Sequence, residues 1–425
     1  MRTVIQTPIE ASEVDSIKKG ELILYCILFL FLPPIVGLPL IIYQIAAKRD
    51  ATKTDYYKFF CCMALYFACI NATKRPAGDQ ITYAWAYYNV PKLGLWGSMA
   101  NIYGYDIAKG LETASVNLSG EFMNGIFNYI GYYLTFGYYP LYAAIITFVD
   151  FILIYLAFYK LLKSDLAPHI PIICSVLILS FFYIYFQFSL QIQKQFLAQS
   201  IMMYALGCYA ERGGIHKKTA IFIIMAVFTH ASTALFLPFF LYKPLRGKMS
   251  RNTLIVFGMM LMIIIYLGPS LAGAISVEKT ALTYGIDRLA RSESNNDGGS
   301  IPVIQIIAVL IPMALVVYRK LLKESEETLS ESIYFVLNIV LLLILTIVAM
   351  QKQPTAQYRY FMMLYVFFPF LMTYVFNDIH KRNKFLLNLS VFMIIWFYYQ
   401  FERITWHYAP EIDIIAISPV FLLAK

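Results

Sequence analysis

Long apolar runs separated by short polar breaks recur along the whole of this chain. About 20 apolar residues in a helix are enough to cross the hydrocarbon core of a bilayer. The pattern predicts spans near 21–46, 58–72, 139–161, 168–188, 195–210, 252–275, 302–321, 332–351, 360–378 and 384–401. One further run, "AIFIIMAVFTHASTALFLPFFLY" at 220–242, carries His230 at its midpoint and has lysines at both flanks. Between the second and third spans, "DQITYAWAYYNV" and "FMNGIFNYIGYYL" are amphipathic and read as helices lying in the membrane interface.

Charge decides how 219–242 is threaded. The short breaks "AAKRDATKTDYYK", "YKLLKSD", "ERGGIHKK", "YKPLRGKMSR", "YRKLLKE" and "NDIHKRNK" hold 19 of the 34 Lys and Arg. Cytoplasmic loops are the ones rich in these residues. A single straight crossing at 219–242 would turn the last three of these breaks outward. A segment that enters and returns keeps all six inside. Each arm then has about 12 residues, roughly 18 Å of helix against a core of about 30 Å. The expectation is therefore a re-entrant pair of short helices meeting at "THAST", with His230 at the bottom of an outward pocket. The tail 1–20, the loops 73–138 and 276–300 and the tail 402–425 would then face outward. Residues 21–401 would form a single integral membrane domain.

Composition agrees with an all-α polytopic membrane protein of about ten spans plus that pair. The chain is 60% hydrophobic and 14% charged, more apolar surface than a soluble fold of this size can hide. The polar residues 1–20 lack a signal-peptide pattern, so the first run is expected to remain as a span. The net charge of +9 is accounted for by loop topology and does not point to nucleic acid. Six cysteines lie inside apolar runs without CxxC spacing, which excludes a disulfide framework and a zinc signature. P-loop, nucleophile-elbow and Rossmann fingerprints are also missing.

The unusual polar residues gather on the outward side: Arg75, Asp79, Tyr83, Glu121, Lys194, Gln195, His230, Arg288, Arg291 and Arg359. Each has a plain reading. Arg359 and Lys194 read as interfacial cations, Glu121 and Asp79 as helix starts, and the glutamines around 195 as interhelical hydrogen bonds. A membrane histidine is more often a helix partner than a catalyst. What favours function is convergence, since cations from separate spans on one side suit a diphosphate, and a nearby carboxylate or imidazole suits proton removal. No acidic pair suited to a metal ion is present.

Five stretches together resemble the EpsG family of bacterial exopolysaccharide proteins, which are Wzy-like polymerases. "ATKRPAGDQITYAWAY" is similar to the family's early element, through Arg75, Gly78, Asp79 and Tyr83. "GEFMNGIFNYI" brings Glu121, and "KQFLAQSIMMYALGCY" brings Lys194, Gln195 and Ala198, with Lys194 where arginine is usual. "FTHASTALFLPFFLY" brings His230 and Ser232, and "QYRYFMMLYVFFPFL" brings Arg359.

The resemblance implies a GT-C-like glycosyltransferase that joins oligosaccharide repeat units carried on undecaprenyl diphosphate. It implies no soluble cofactor, no metal and no nucleotide sugar. In that setting Arg75, Lys194 and Arg359 are expected to hold the diphosphate. Asp79 is expected to be the base, with Glu121 and His230 as the other catalytic candidates. Tyr83, Gln195, Arg288 and Arg291 are expected at the acceptor or sugar. The expected location is a bacterial inner membrane with the site facing the periplasm or exterior, and a chain-length regulator is a partner by analogy. An O-antigen-type ligase, a lipid-linked oligosaccharide transporter and a membrane acyltransferase are the alternatives. A transporter should show repeated halves and polar groups on both faces; neither is visible in this sequence.

Overall fold

The computed structural model describes residues 24, 27, 28, 30–48, 51–76, 78–100, 121–162, 169–181, 189, 190, 192–250, 252–256, 258, 259, 263, 301, 303–322, 329–351, 354–372, 379–403 and 417–423. Among them the regular structure is helical throughout, with no strand. In chain order the elements used below are α1 (Pro34–Ala47), α2 (Lys53–Ala72), α3 (Asp79–Tyr88), α4 (Val90–Met99), α5 (Phe122–Leu134), α6 (Tyr139–Leu162), α7 (His169–Ser180), α8 (Gln193–Arg212) and α9 (Lys217–Thr229). A 3₁₀ turn (Ala231–Phe236) and α10 (Leu237–Leu241) follow, then α11 (Val303–Leu321), α12 (Glu331–Ala349), α13 (Pro354–Met372) and α14 (Ile379–Arg403).

Three of these, α6, α11 and α12, are long and apolar enough by themselves to cross a membrane. Shorter apolar helices are α1, α7, Ala231–Leu241 and Leu387–Tyr399. The first expected span, 21–46, is interrupted: α1 starts only at Pro34, after a break at 31–33. Pro33 and Pro34 explain it, because the ring of one forbids helical geometry in the residue before it. The second span starts earlier than its apolar run, at Lys53. There Thr52 and Asp55 form a reciprocal capping box, each side chain bonding the other's backbone N–H.

The centre of the bundle is α8. Every residue from Gln193 to Tyr209 is buried, although the helix carries three glutamines, lysine and serine. It packs against α6 on one side and α9 on the other. Burying polar side chains costs least where they meet partners, and Gln193, Lys194 and Gln195 bond Tyr142, Glu121 and the main chain of Arg359 on other elements.

The 217–242 segment folds back on itself. Lys218 Nζ donates to Tyr204 Oη at 3.0 Å, so α9 begins beside the C-terminal half of α8. After the break at His230 the chain returns to the same end: Phe240 lies 5.7 Å from the Tyr209 ring, and the Arg246 guanidinium 4.8 Å from it. Asn338 of α12 locks the returning end by donating to the carbonyls of Leu245 and Gly247 at 2.8 and 2.9 Å. With 13 residues, α9 is about 20 Å long, against about 30 Å for α8. The break itself is built from the polar residues of "THAST". His230 is extended, with φ −154° and ψ 123°. Thr229 bonds back to Met225 O, and the Thr233 hydroxyl bonds to His230 O. The N–H groups freed at the break are met by other side chains, Ala231 N–H by Glu121 Oε1 and Ser232 N–H by His230 Nδ1.

The basic segments flanking this hairpin share one end of the bundle with others. Lys160 at the end of α6 pairs with Glu211 at the end of α8. Tyr56, at the start of α2, lies 5.3 Å from Tyr159 and bonds His169 at the start of α7. Lys194 and Gln195, at the start of α8, and His230, at the end of α9, lie at the other end.

Helices α3–α5 complete that other end, and two of them show their polar side inward. In α5 the buried positions are Asn124, Gly125, Asn128 and Gly131, while Ile130, Tyr133 and Leu134 are exposed. This is the arrangement of a helix whose outer face meets lipid. Gly125 lets α4 approach closely, since a Cβ there would lie 2.0 Å from the Ser98 carbonyl oxygen. Gly125→Ala is therefore expected to destabilise the α4–α5 contact by about 1–3 kcal/mol. A lowered unfolding midpoint in detergent would show it, and an unchanged midpoint would refute it.

Candidate functional site

The site begins with a glycine that turns the chain. Gly78 has φ +56°, a conformation that costs other residues strain, and it delivers Asp79 as the first residue of α3. An acid at that position is favoured by the helix N-terminus. Asp79, Thr82 and Tyr83, spaced i, i+3 and i+4, form one face of α3. The opposite face, with Gln80, Ala84 and Tyr87, is buried in the bundle.

Three other elements close a cavity around that face. Ile192, Lys194 and Gln195 come from the start of α8, His230 from the hairpin tip and Arg359 from α13. The cavity is about 230 Å³ and is lined by these five residues with Asp79, Thr82 and Tyr83. Small-molecule sites usually enclose about 300–1,000 Å³, so this cavity is a small one.

Side-chain contacts fix most of the lining. The Lys194 ammonium is 3.1 Å from Glu121 Oε2 and 6.0 Å from the centroid of the Tyr83 ring. Gln195 Nε2 donates to the main-chain oxygen of Arg359 at 3.0 Å, tying α13 to α8 next to the lysine. Gln193 Nε2 donates to Tyr142 Oη at 3.3 Å, and that hydroxyl donates to Asn128 Oδ1 at 2.6 Å. Glu121 is the N-cap residue of α5, yet its side chain makes no capping bond. It turns beneath the cavity and is only 1% exposed. Phe122 packs on Phe228 at 4.8 Å between ring centroids, which holds α5 against α9 there.

Six of the residues expected from the sequence thus line one cavity: Asp79, Tyr83, Lys194, Gln195, His230 and Arg359. Glu121 touches two of them from below. Arg75 is exposed and is not among the lining residues. Its neighbour Lys74 is the buried member of the pair, and burial pushes its ammonium down to about 8. Arg288 and Arg291, in the expected loop 276–300, lie outside the described residues. Thr82 and Ile192 were not expected. Thr82 was readable from helical spacing after Asp79, whereas nothing marks Ile192 except its place before Gln193.

The chain matches no curated protein and no solved structure. The EpsG family model matches residues 56–410, a range that takes in every lining residue of the cavity. The motifs on α3, α5, α8, the hairpin and α13, far apart in the sequence and gathered at one end of the fold, are thus all within the match, and this membrane protein belongs to the EpsG family.

Proposed function

We propose that the protein is a repeat-unit polymerase: it transfers a growing saccharide from a lipid diphosphate onto the hydroxyl of an incoming lipid-linked unit. Family membership supports an exopolysaccharide-related, Wzy-like polymerase. The single observation that carries the specific reading is the cavity, which unites an exposed carboxylate on α3 with cations from two other helices. In the proposed step the acceptor hydroxyl oxygen bonds the donor's anomeric carbon. The bond from that carbon to the diphosphate oxygen breaks, and the hydroxyl proton passes to Asp79. Lys194 and Arg359 stabilise the charge arriving on the departing lipid diphosphate, as fixed cations do best in a water-poor site. Arginine adds a planar fork of donors that matches phosphoryl oxygens. Tyr83 offers a ring face to a sugar. With the basic ends in the cytoplasm, the cavity opens outward in a bacterial inner membrane. Ten or so spans and a GT-C-like arrangement belong to the same reading.

The test uses the full chain in proteoliposomes supplied with an undecaprenyl-diphosphate-linked repeat unit. A ladder of lengthened lipid-linked saccharides is expected, and units that never lengthen would overturn the reading. Orientation is checked with His230→Cys and Arg246→Cys in a background lacking the six native cysteines. An impermeant thiol reagent added to intact cells should reach the first and spare the second. Labelling at 246 from outside would invert the topology.

A further inference from the structure

The buried carboxylate of Glu121 is shared by two elements. Its Oε2 lies 3.1 Å from the ammonium of Lys194 on α8. Its Oε1 accepts the backbone N–H of Ala231 at 3.3 Å and lies 3.7 Å from His230 Nε2. The imidazole is fixed from its other side: Nδ1 accepts the Ser232 N–H at 3.3 Å and sits 2.7 Å from the Ser232 hydroxyl. A backbone N–H only donates, so Nδ1 keeps its lone pair and the ring proton of neutral imidazole rests on Nε2, toward Glu121. Three N–H groups therefore converge on one carboxylate. Two belong to the turn of the hairpin and the third is the lysine of the cavity.

A general base needs to reach the hydroxyl whose proton it takes, at about 2.6–3.2 Å or through one water. Glu121 is 1% exposed and does not line the cavity, whereas Asp79 is exposed and does. Taking a proton would also cost Glu121 its charged contact with Lys194. We propose that Glu121 is a positioning residue: the shared buried counter-ion that aims the Lys194 ammonium and pins the hairpin turn at His230–Ser232. His230 then serves the turn, with one nitrogen on Ser232 and the other toward Glu121. This inference rests on the polymerase reading for its kinetics but has a separate binding readout.

Lys194 answers the Glu121 carboxylate; a bound lipid diphosphate would add further negative charge beside it. Removing the charge of Glu121 makes the cavity more positive. Glu121→Gln keeps the shape and an acceptor for Ala231. Diphosphate binding to the purified full-length protein, probed with inorganic diphosphate, is expected to tighten several-fold in E121Q. Mispositioned Lys194 is expected to lower kcat by up to about 10². The acid limb of kcat/KM is expected to stay, because it belongs to Asp79, which faces Lys194, His230, Arg359 and Tyr83 across the cavity. E121Q with unchanged or weaker diphosphate binding overturns the counter-ion role. Loss of the acid limb in E121Q with its retention in D79N makes Glu121 the base and overturns the assignment. If the wild type binds diphosphate but lengthens no saccharide, the polymerase reading falls and the binding comparison still decides this one. Absence of diphosphate binding by the wild type overturns both.

Discussion

Asp79→Asn is expected to slow repeat-unit joining by about 10²–10⁴, the usual range for losing a general base. The fold should tolerate the change. Asp79 is exposed and makes no capping bond, and asparagine has nearly the same shape. A surface acid at a helix N-terminus contributes about 0.3–1 kcal/mol through the helix dipole, too little to unfold a bundle of this size. Lys194 and Arg359 are untouched, so binding of a lipid diphosphate should survive and the loss should fall on kcat. The assay is the rate at which lipid-linked units lengthen in proteoliposomes, with donor binding measured beside it. A D79N protein that works at the wild-type rate would remove Asp79 from the chemistry.

Part of this fold is written in the hydrophobic pattern, and part in charge. The runs at 139–161, 302–321 and 332–351 return as α6, α11 and α12 with ends displaced by two residues at most. Apolar length alone defines such helices. The hairpin at 217–242 is legible for another reason. Its run is long enough to cross, and only the basic breaks on either side show that it must return. The histidine at its centre then supplies an acceptor for a backbone N–H that the break frees. What the pattern hides is helix context. Thr52 and Asp55 extend α2 past its apolar run, and consecutive prolines cut the first run at 31–33. The ten residues of α4 carry too weak an amphipathic signal to be read before the structure shows their contact with α5.

The site was legible as an inventory and not as a geometry. Polar residues in apolar surroundings are costly, so Asp79, Lys194, His230 and Arg359 stand out in the sequence. The sequence does not say which of them reach the cavity. Arg75 and Lys74 are adjacent, and the chain buries the lysine and exposes the arginine. Glu121 and Asp79 are both acids at helix starts, yet one lies under the cavity and the other in its wall. Gln195 was expected at the acceptor or sugar; it lines the cavity, and its nitrogen also donates to the backbone of Arg359, a contact that the sequence does not reveal. These differences come from packing between helices distant in sequence, which no local pattern encodes.

Lys194→Met is expected to abolish polymer formation and also to weaken the fold. The ammonium is largely buried, 3.1 Å from a carboxylate that is itself 1% exposed. Removing one member of a buried ion pair typically costs about 3–5 kcal/mol, because the remaining charge stays in a poorly solvated place. Loss of activity alone would therefore be ambiguous. The second substitution separates the two effects. Glu121→Gln in the same chain replaces the stranded charge with a neutral amide of the same shape, so most of the stability should return. Activity should not, because the cavity still lacks the α8 cation that Arg359 cannot replace from α13. Thermal unfolding in detergent and lengthening of lipid-linked units are measured on the wild type, both single variants and the double. Recovery of stability without activity is the expected result. A double variant that stays as unstable as K194M would mean that the lysine stabilises the bundle through its stem and not through Glu121. A double variant that regains full activity would mean that the diphosphate is held by other cations.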